Sequence, residues 1–150
     1  MIEAVFLIGL PAVGKSRFAS EHFSKWHYIT IDPVRFIQNE TVRLRKPFNK
    51  ASIDELHSHA IRMSYKMAEN AIGLNWNIIW DDLNLTRENR FRKLRMLPGD
   101  AHKVAYVFDV PPLDEWLNQI KHLYDKDDLQ KMMDKIELPT EDEFDKIVKC

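Results

Sequence analysis

The stretch GLPAVGKS, Gly9 to Ser16, follows directly on the apolar run AVFLI, Ala4 to Ile8. Its spacing, GxxxxGK[ST], is that of a nucleotide phosphate-binding loop between a strand and a helix. By chance such a pattern would arise in a chain of this length at a rate of about 0.5%. The chain has four glycines, and two of them stand in this loop. Gly9 and Gly14 let the backbone turn back and aim its N–H groups inward. The helix that follows adds its positive N-terminal dipole. Lys15 is the residue type that reaches the β- and γ-phosphates, and Ser16 the type that ligates Mg²⁺. Gly9, Leu10, Pro11, Ala12, Val13, Gly14, Lys15, Ser16 and Arg17 are therefore the candidate nucleotide-binding set, with ATP and Mg²⁺ as the expected cofactors.

Working outward, EAVFLI (3–8) reads as a buried strand and KSRFASEHFSKW (15–26) as a helix with Phe18, Ala19, Phe23 and Trp26 on one side. HYITI (27–31), WNIIWD (76–81) and HKVAYVF (102–108) read as further strands. Ser52-Ile-Asp-Glu55 is a capping box, which predicts a long helix from there to about Gly73. Thr86 caps a helix over 87–97, stopped by Pro98-Gly99. Beyond Pro111-Pro112 the pattern is helical to the end, broken at Leu138-Pro139. This alternation predicts an α/β P-loop NTPase or kinase fold: a parallel sheet of four or five strands flanked by helices, a helical lid near 113–136, and C-terminal helices. With 150 residues, 45% hydrophobic and 30% charged, the chain is expected to form one such domain, 1–150.

Net charge is −1. Residues 1–113 hold 16 Lys and Arg against 12 Asp and Glu, a net of +4; residues 114–150 hold 6 against 11, a net of −5. A mildly basic body can hold nucleic acid locally, but this is not the charge of a protein that coats DNA. No apolar run approaches the roughly 20 residues that span a bilayer, so no membrane partner is expected. No secretion signal is apparent at the N-terminus. Cys150 is the one cysteine, which excludes an intrachain disulfide and suits a reducing cytoplasm, that of the host if the chain is phage-encoded.

The second strand ends in IDPVR, with Asp32 and Arg35, and the third in DDLNLTRENR (81–90). Strand ends in a parallel sheet meet at one crevice. An Asp there can take the proton of an attacking hydroxyl; capping the helix at Pro33 is its other use. Asp81 and Asp82 follow an apolar strand as a Walker-B-like acid does. Together with YVFDVP (106–111), these stretches resemble the kinase domain of the bacteriophage polynucleotide kinase family, in order and spacing along nearly the whole chain. The resemblance implies transfer of the γ-phosphate of ATP to the 5′-hydroxyl of DNA or RNA. It makes Asp32 the general base, with Lys15 on the phosphates and Arg35 contacting the acceptor. Asp82, Asn84, Arg87 and Arg90 are then substrate-side residues, with Ser16 and Asp82, the latter through water, on the Mg²⁺.

Two departures accompany the resemblance. The family carries lid arginines after FDVP, whereas here no arginine follows Arg95. Lys121 and Lys126 are the nearest lid cations, and lysine lacks the bidentate fork. The phosphatase motif of the phage enzyme is also missing, so no phosphatase activity is expected. Other acceptors stay open: a hydroxymethylated base in phage DNA, a nucleoside or another small hydroxyl compound. So do a bare NTPase and a nucleotide-binding module without transfer activity. The basic run Arg43, Arg45, Lys46 and Lys50 reads equally as a phosphate contact or a solvated loop. Residues late in the helix over 87–97 read as surface, the acidic segment 125–145 as a solvated helical face, and Trp26, Trp76, Trp80 and Trp116 as core.

Overall fold

EAVFLI forms strand β1 (Glu3–Ile8), which is buried on both faces and lies at the centre of the sheet. That burial is why its apolar run is continuous rather than alternating. The computed structural model describes residues 1–25, 27–33, 50–120 and 125–150, and of 50–54 the helical backbone only. The other described elements are, in chain order, α1 (Lys15–His22), β2 (Tyr28–Ile31), α2 (Lys50–Gly73), β3 (Asn77–Asp81), α3 (Arg87–Leu94), β4 (His102–Val107), α4 (Leu113–Ile120), α5 (Lys126–Asp134) and β5 (Lys146–Lys149).

All strand pairs are parallel, in the order β2–β3–β1–β4–β5. The chain moves to one edge after β1 and crosses to the other after β3, so the carboxyl ends of β1 and β3 flank the switch point where a crevice opens. The two faces of the sheet follow the pleat. Ala4, Phe6, Ile8, Ile78 and Trp80 pack with Ala68 and Ala71 of α2, while Val5, Leu7 and Ile79 pack with Ala19 of α1. A third apolar cluster, Leu10, Leu85, Trp116, Ile120 and Leu129, joins the loops after β1 and β3 to α4 and α5. The described helices α4 and α5 fall within the segment 113–136, and this cluster seats them on the crevice end of the sheet.

Two expectations are corrected. Helix α1 stops at His22 rather than running to residue 26. Phe23 turns extended, φ −120°, and its ring packs at 5.0 Å from Tyr28 and 5.8 Å from Tyr106. The chain also does not end in a helix. Thr140 and Glu143 cap each other, Thr140 N donating to the carboxylate at 3.0 Å and Glu143 N to the Thr140 carbonyl at 3.0 Å. Phe144 then anchors in the sheet cluster, and Asp145 N donates to Lys103 O at 2.9 Å, which starts β5 against β4. Thr86 does cap α3, accepting from Asn89 N at 3.1 Å. Among the described residues, no helix is long and apolar enough to cross a membrane.

Candidate active site

The loop after β1 is built by backbone constraint before any ligand is considered. Gly9 N donates to Leu83 O at 3.1 Å, which ties the loop to the end of β3. A Cβ at Gly9 would stand 3.1 Å from both Phe108 Cβ and Val13 Cγ2, so the close approach of β4 leaves little room for a larger residue. Gly14 has φ 96° and Ala12 φ 59°, two left-handed residues in a six-residue turn. Left-handed residues alternating with ordinary ones turn successive N–H groups to one side, the geometry of an anion nest. The Phe18 amide then donates to Gly14 O at 2.9 Å and opens α1.

Lys15 is buried, and its ammonium donates to Gly9 O at 2.9 Å and Leu10 O at 2.7 Å. Burial brings its pKa down from the usual lysine value to about 8, opposed by the negative charges of Asp81, Asp82 and Asp32. Strand β3 lies between β1 and β2, all parallel, so the carboxyl ends that carry Asp32 and Asp81 lie at the same edge of the sheet as the loop after β1. Ser16 donates its hydroxyl hydrogen to Asp81 Oδ2 at 2.7 Å. A hydroxyl beside a carboxylate is an all-oxygen donor set, which fits a hard cation such as Mg²⁺ arriving with phosphate oxygens. Among the described residues no group of three or more His, Cys, Asp and Glu could hold a metal by itself.

Asp81 and Asp82 face opposite ways, as consecutive residues at a strand end must. Asp81 shares the α1 face with Ile79 and meets Ser16. Asp82 shares the other face with Trp80 and accepts from Lys93 Nζ at 3.1 Å. Lys93, only 3% exposed, also donates to Asn89 Oδ1 at 2.9 Å and to Asn84 Oδ1, and lies 5.0 Å from the centre of the Trp80 ring. Burial lowers its pKa, opposed by the charge and hydrogen bond of Asp82. Asn84, left-handed at φ 52°, donates its amide to Leu7 O at 2.8 Å and Trp80 O at 3.2 Å. It stitches β1 to β3 directly beneath the loop.

Several expected substrate contacts are therefore otherwise employed. Asn84 is a buried brace. Arg90 is fully buried: it forks onto Glu143 at 2.9 and 3.2 Å and donates to the carbonyls of Asn84, Leu85 and Glu137 at 3.0, 3.3 and 2.8 Å. These contacts engage Nε, both hydrogens on one terminal nitrogen and one on the other, and the side chain is 0% exposed, so Arg90 does not reach a substrate in this arrangement. Arg87 pairs with Asp142 and donates to Thr140 Oγ1 at 3.0 Å. The acidic segment is accordingly not all solvated, since Glu143 is buried against Arg90. Arg17 is exposed and paired with Glu21 at 2.9 Å. Lys126 is exposed in the first turn of α5, beside Asp125, Asp127 and Asp128. Asp32 is half-buried at the crevice. Arg35, Arg43, Arg45, Lys46, Lys121 and Trp26 lie outside the described residues, as do the side chains of Lys50 and Ser52.

Lys93, late in the helix that reads as surface, is instead buried. The stripe formed by Arg90, Lys93, Leu94 and Leu97 at helical spacing is the signal that places it inward. Trp80 and Trp116 are buried as expected, whereas Trp76 is 41% exposed.

Residues 5–139 match the profile of a family described as an AAA domain, AAA_33. No curated protein matches the chain. Among solved structures, a candidate kinase of Chloroflexus aurantiacus superposes with a TM-score of 0.70 at 13% identity, over 99% of this chain and 84% of its own. A chain of the PezAT chromosomal toxin–antitoxin system of Streptococcus pneumoniae gives 0.66 at 17%, over 81% of this chain and 53% of its own. One from the Pnkp1/Rnl/Hen1 complex gives 0.59 at 16%, over 83% and 40%. This chain thus spans most of the first and about half or less of the other two. With nine-tenths of its length in the family profile and a five-stranded parallel sheet behind its phosphate loop, the chain belongs to the AAA_33 family of AAA domains and has the P-loop kinase-like fold.

Proposed function

We propose that the protein is an ATP-dependent phosphotransferase whose acceptor is the 5′-hydroxyl of a nucleic acid. The observation that carries the phosphotransferase reading is the pairing of Ser16 with Asp81 beside a buried Lys15, with Asp32 at the same crevice. In this reading the loop amides and Lys15 bind the triphosphate. Ser16 and Asp81 hold Mg²⁺, which when bound supplies charge neutralisation for the transfer. Asp32 accepts the proton of the acceptor hydroxyl as its oxygen bonds to the γ-phosphorus and ADP leaves. Positioning and electrostatics do most of the work in such a transfer. The metal carboxylate assigned to Asp82 from the resemblance moves to Asp81, because Asp82 is engaged by Lys93.

The nucleic-acid acceptor is supported by the order and spacing of IDPVR, DDLNLTRENR and YVFDVP along the chain. One observation favours a smaller hydroxyl acceptor instead. Arg87 and Arg90, the two arginines expected on substrate, are both spent on the C-terminal turn. The test is label transfer from γ-labelled ATP with Mg²⁺ to 5′-hydroxyl DNA and RNA oligonucleotides, with Lys15→Ala and Asp32→Ala as controls. Labelling lost in both controls supports the full reading. ATP binding without end labelling overturns the acceptor and turns the search to modified bases and small alcohols.

A further inference from the structure

Trp116, in the middle of α4, is fully buried, and its indole N–H donates to the carbonyl of Pro11 at 2.7 Å. Pro11 sits inside the phosphate loop, one residue before the left-handed Ala12. The loop is divided in its facing: Leu10 is buried and Val13 partly so in the lid cluster, while Ala12, Gly14 and Ser16 are exposed. The lid cluster is thus built partly from the loop itself. A second tie runs from the far end of the lid, where Glu137 N donates to Leu85 O at 2.8 Å. Turning the Pro11 carbonyl toward the lid turns the next amide away from it, since the two ends of a peptide plane point in opposite directions.

We propose that Trp116 is a positioning residue for nucleotide binding: its hydrogen bond to Pro11 O holds the loop so that its amides face the crevice. The lid helix α4 is then a fixed buttress of the phosphate loop, and the loop is preorganised before any triphosphate arrives. This rests on the nucleotide-binding reading above, but the loop's own order can be measured without a ligand. A loop held in its binding form avoids the ordering cost that would otherwise reduce affinity.

The experiment compares wild type with Trp116→Phe and with benzothienylalanine incorporated at 116, which keeps the bicyclic shape and lacks the N–H. Val104→Ala, which removes buried volume from β4 away from the lid cluster, is the stability control. Amide exchange of residues 12–16 is read in the ligand-free protein, and ATP affinity by calorimetry. Loss of one buried hydrogen bond should speed loop exchange roughly tenfold and weaken ATP binding by a similar factor in both variants at 116. Val104→Ala should leave both unchanged relative to its overall stability. Unchanged loop exchange in the benzothienylalanine protein, or an equal effect from Val104→Ala, overturns the proposal. If wild type binds no ATP, the functional reading fails while loop exchange still decides this one.

Discussion

Two lysines meet two adjacent aspartates on opposite sides of one strand end. On the α1 side, Lys15 rests on two loop carbonyls while Ser16 holds Asp81. On the other, Lys93 donates to Asp82, Asn84 and Asn89, and all three ammonium hydrogens are used. In the first arrangement the ammonium rests on neutral carbonyls, and a hydroxyl and a carboxylate stand together as an oxygen pair of the kind a hard cation takes. In the second the ammonium is held by side chains alone. Charge buried in a protein is not by itself a sign of chemistry. What distinguishes site from scaffold here is the kind of partner: loop carbonyls and a hydroxyl–carboxylate pair on one side, a carboxylate and two side-chain amides around one ammonium on the other.

That contrast can be broken most severely at the lysines. Lys15→Met should lower transfer and ATP affinity by at least about a hundredfold with little change in melting temperature. Lys93→Met should do the reverse. It leaves Asp82 without its partner and should cost about 3 kcal/mol of stability in a denaturant titration. Adding Asp82→Asn should return most of that loss, because the uncompensated charge goes with it. Comparable activity losses in both single variants, at equal stability, would erase the distinction between the two sides.

A smaller effect sharpens the account of the lid support. Burial pushes the Glu143 carboxyl up, but the hydrogen bonds from Arg90 and the Thr140 amide, with the Arg90 charge, outweigh it and hold it below the usual 4.5. Its folded pKa is depressed, so the unfolded chain takes up the proton first. The stability it contributes is present above about pH 4.5 and is lost as pH falls through the lowered value. Acid titrations of wild type and Glu143→Gln, followed by circular dichroism, should show wild type losing more stability than the variant across that window. The smallest effect is expected at Thr86, where Thr86→Ala removes a cap and should cost about 1 kcal/mol while leaving ATP affinity alone.

The parts legible in sequence were those carried by pattern. GLPAVGKS after a continuous apolar run specified strand, loop and helix, and the three later apolar runs supplied the parallel sheet. Strand β5 is hidden in the sequence because KIVK is four residues long and follows the acidic EDEFD, with charge enough to read as a helix face. The division between Asp81 and Asp82 was in principle readable, since Ile79 and Asp81 share one side of the pleat and Trp80 and Asp82 the other. Arg90 and Glu143 could not be paired from sequence. They lie 53 positions apart, and a buried guanidinium has the same letter as an exposed one. Within DDLNLTRENR, Asn84 and Arg90 serve the scaffold in this structure, a use that the letters do not announce.

The most direct test of the central claim is a side-by-side measurement of Asp81→Asn and Asp82→Asn. Each is assayed for Mg²⁺-dependent ATP binding by calorimetry and for melting temperature. The account predicts that Asp81→Asn loses Mg²⁺-dependent binding by tenfold or more, roughly the strength of one charged contact, while keeping its melting temperature. Asp82→Asn should keep that binding and melt lower. Loss of Mg²⁺-dependent binding in Asp82→Asn with Asp81→Asn unaffected would contradict it, and would put the site on the face of β3 that we read as scaffold.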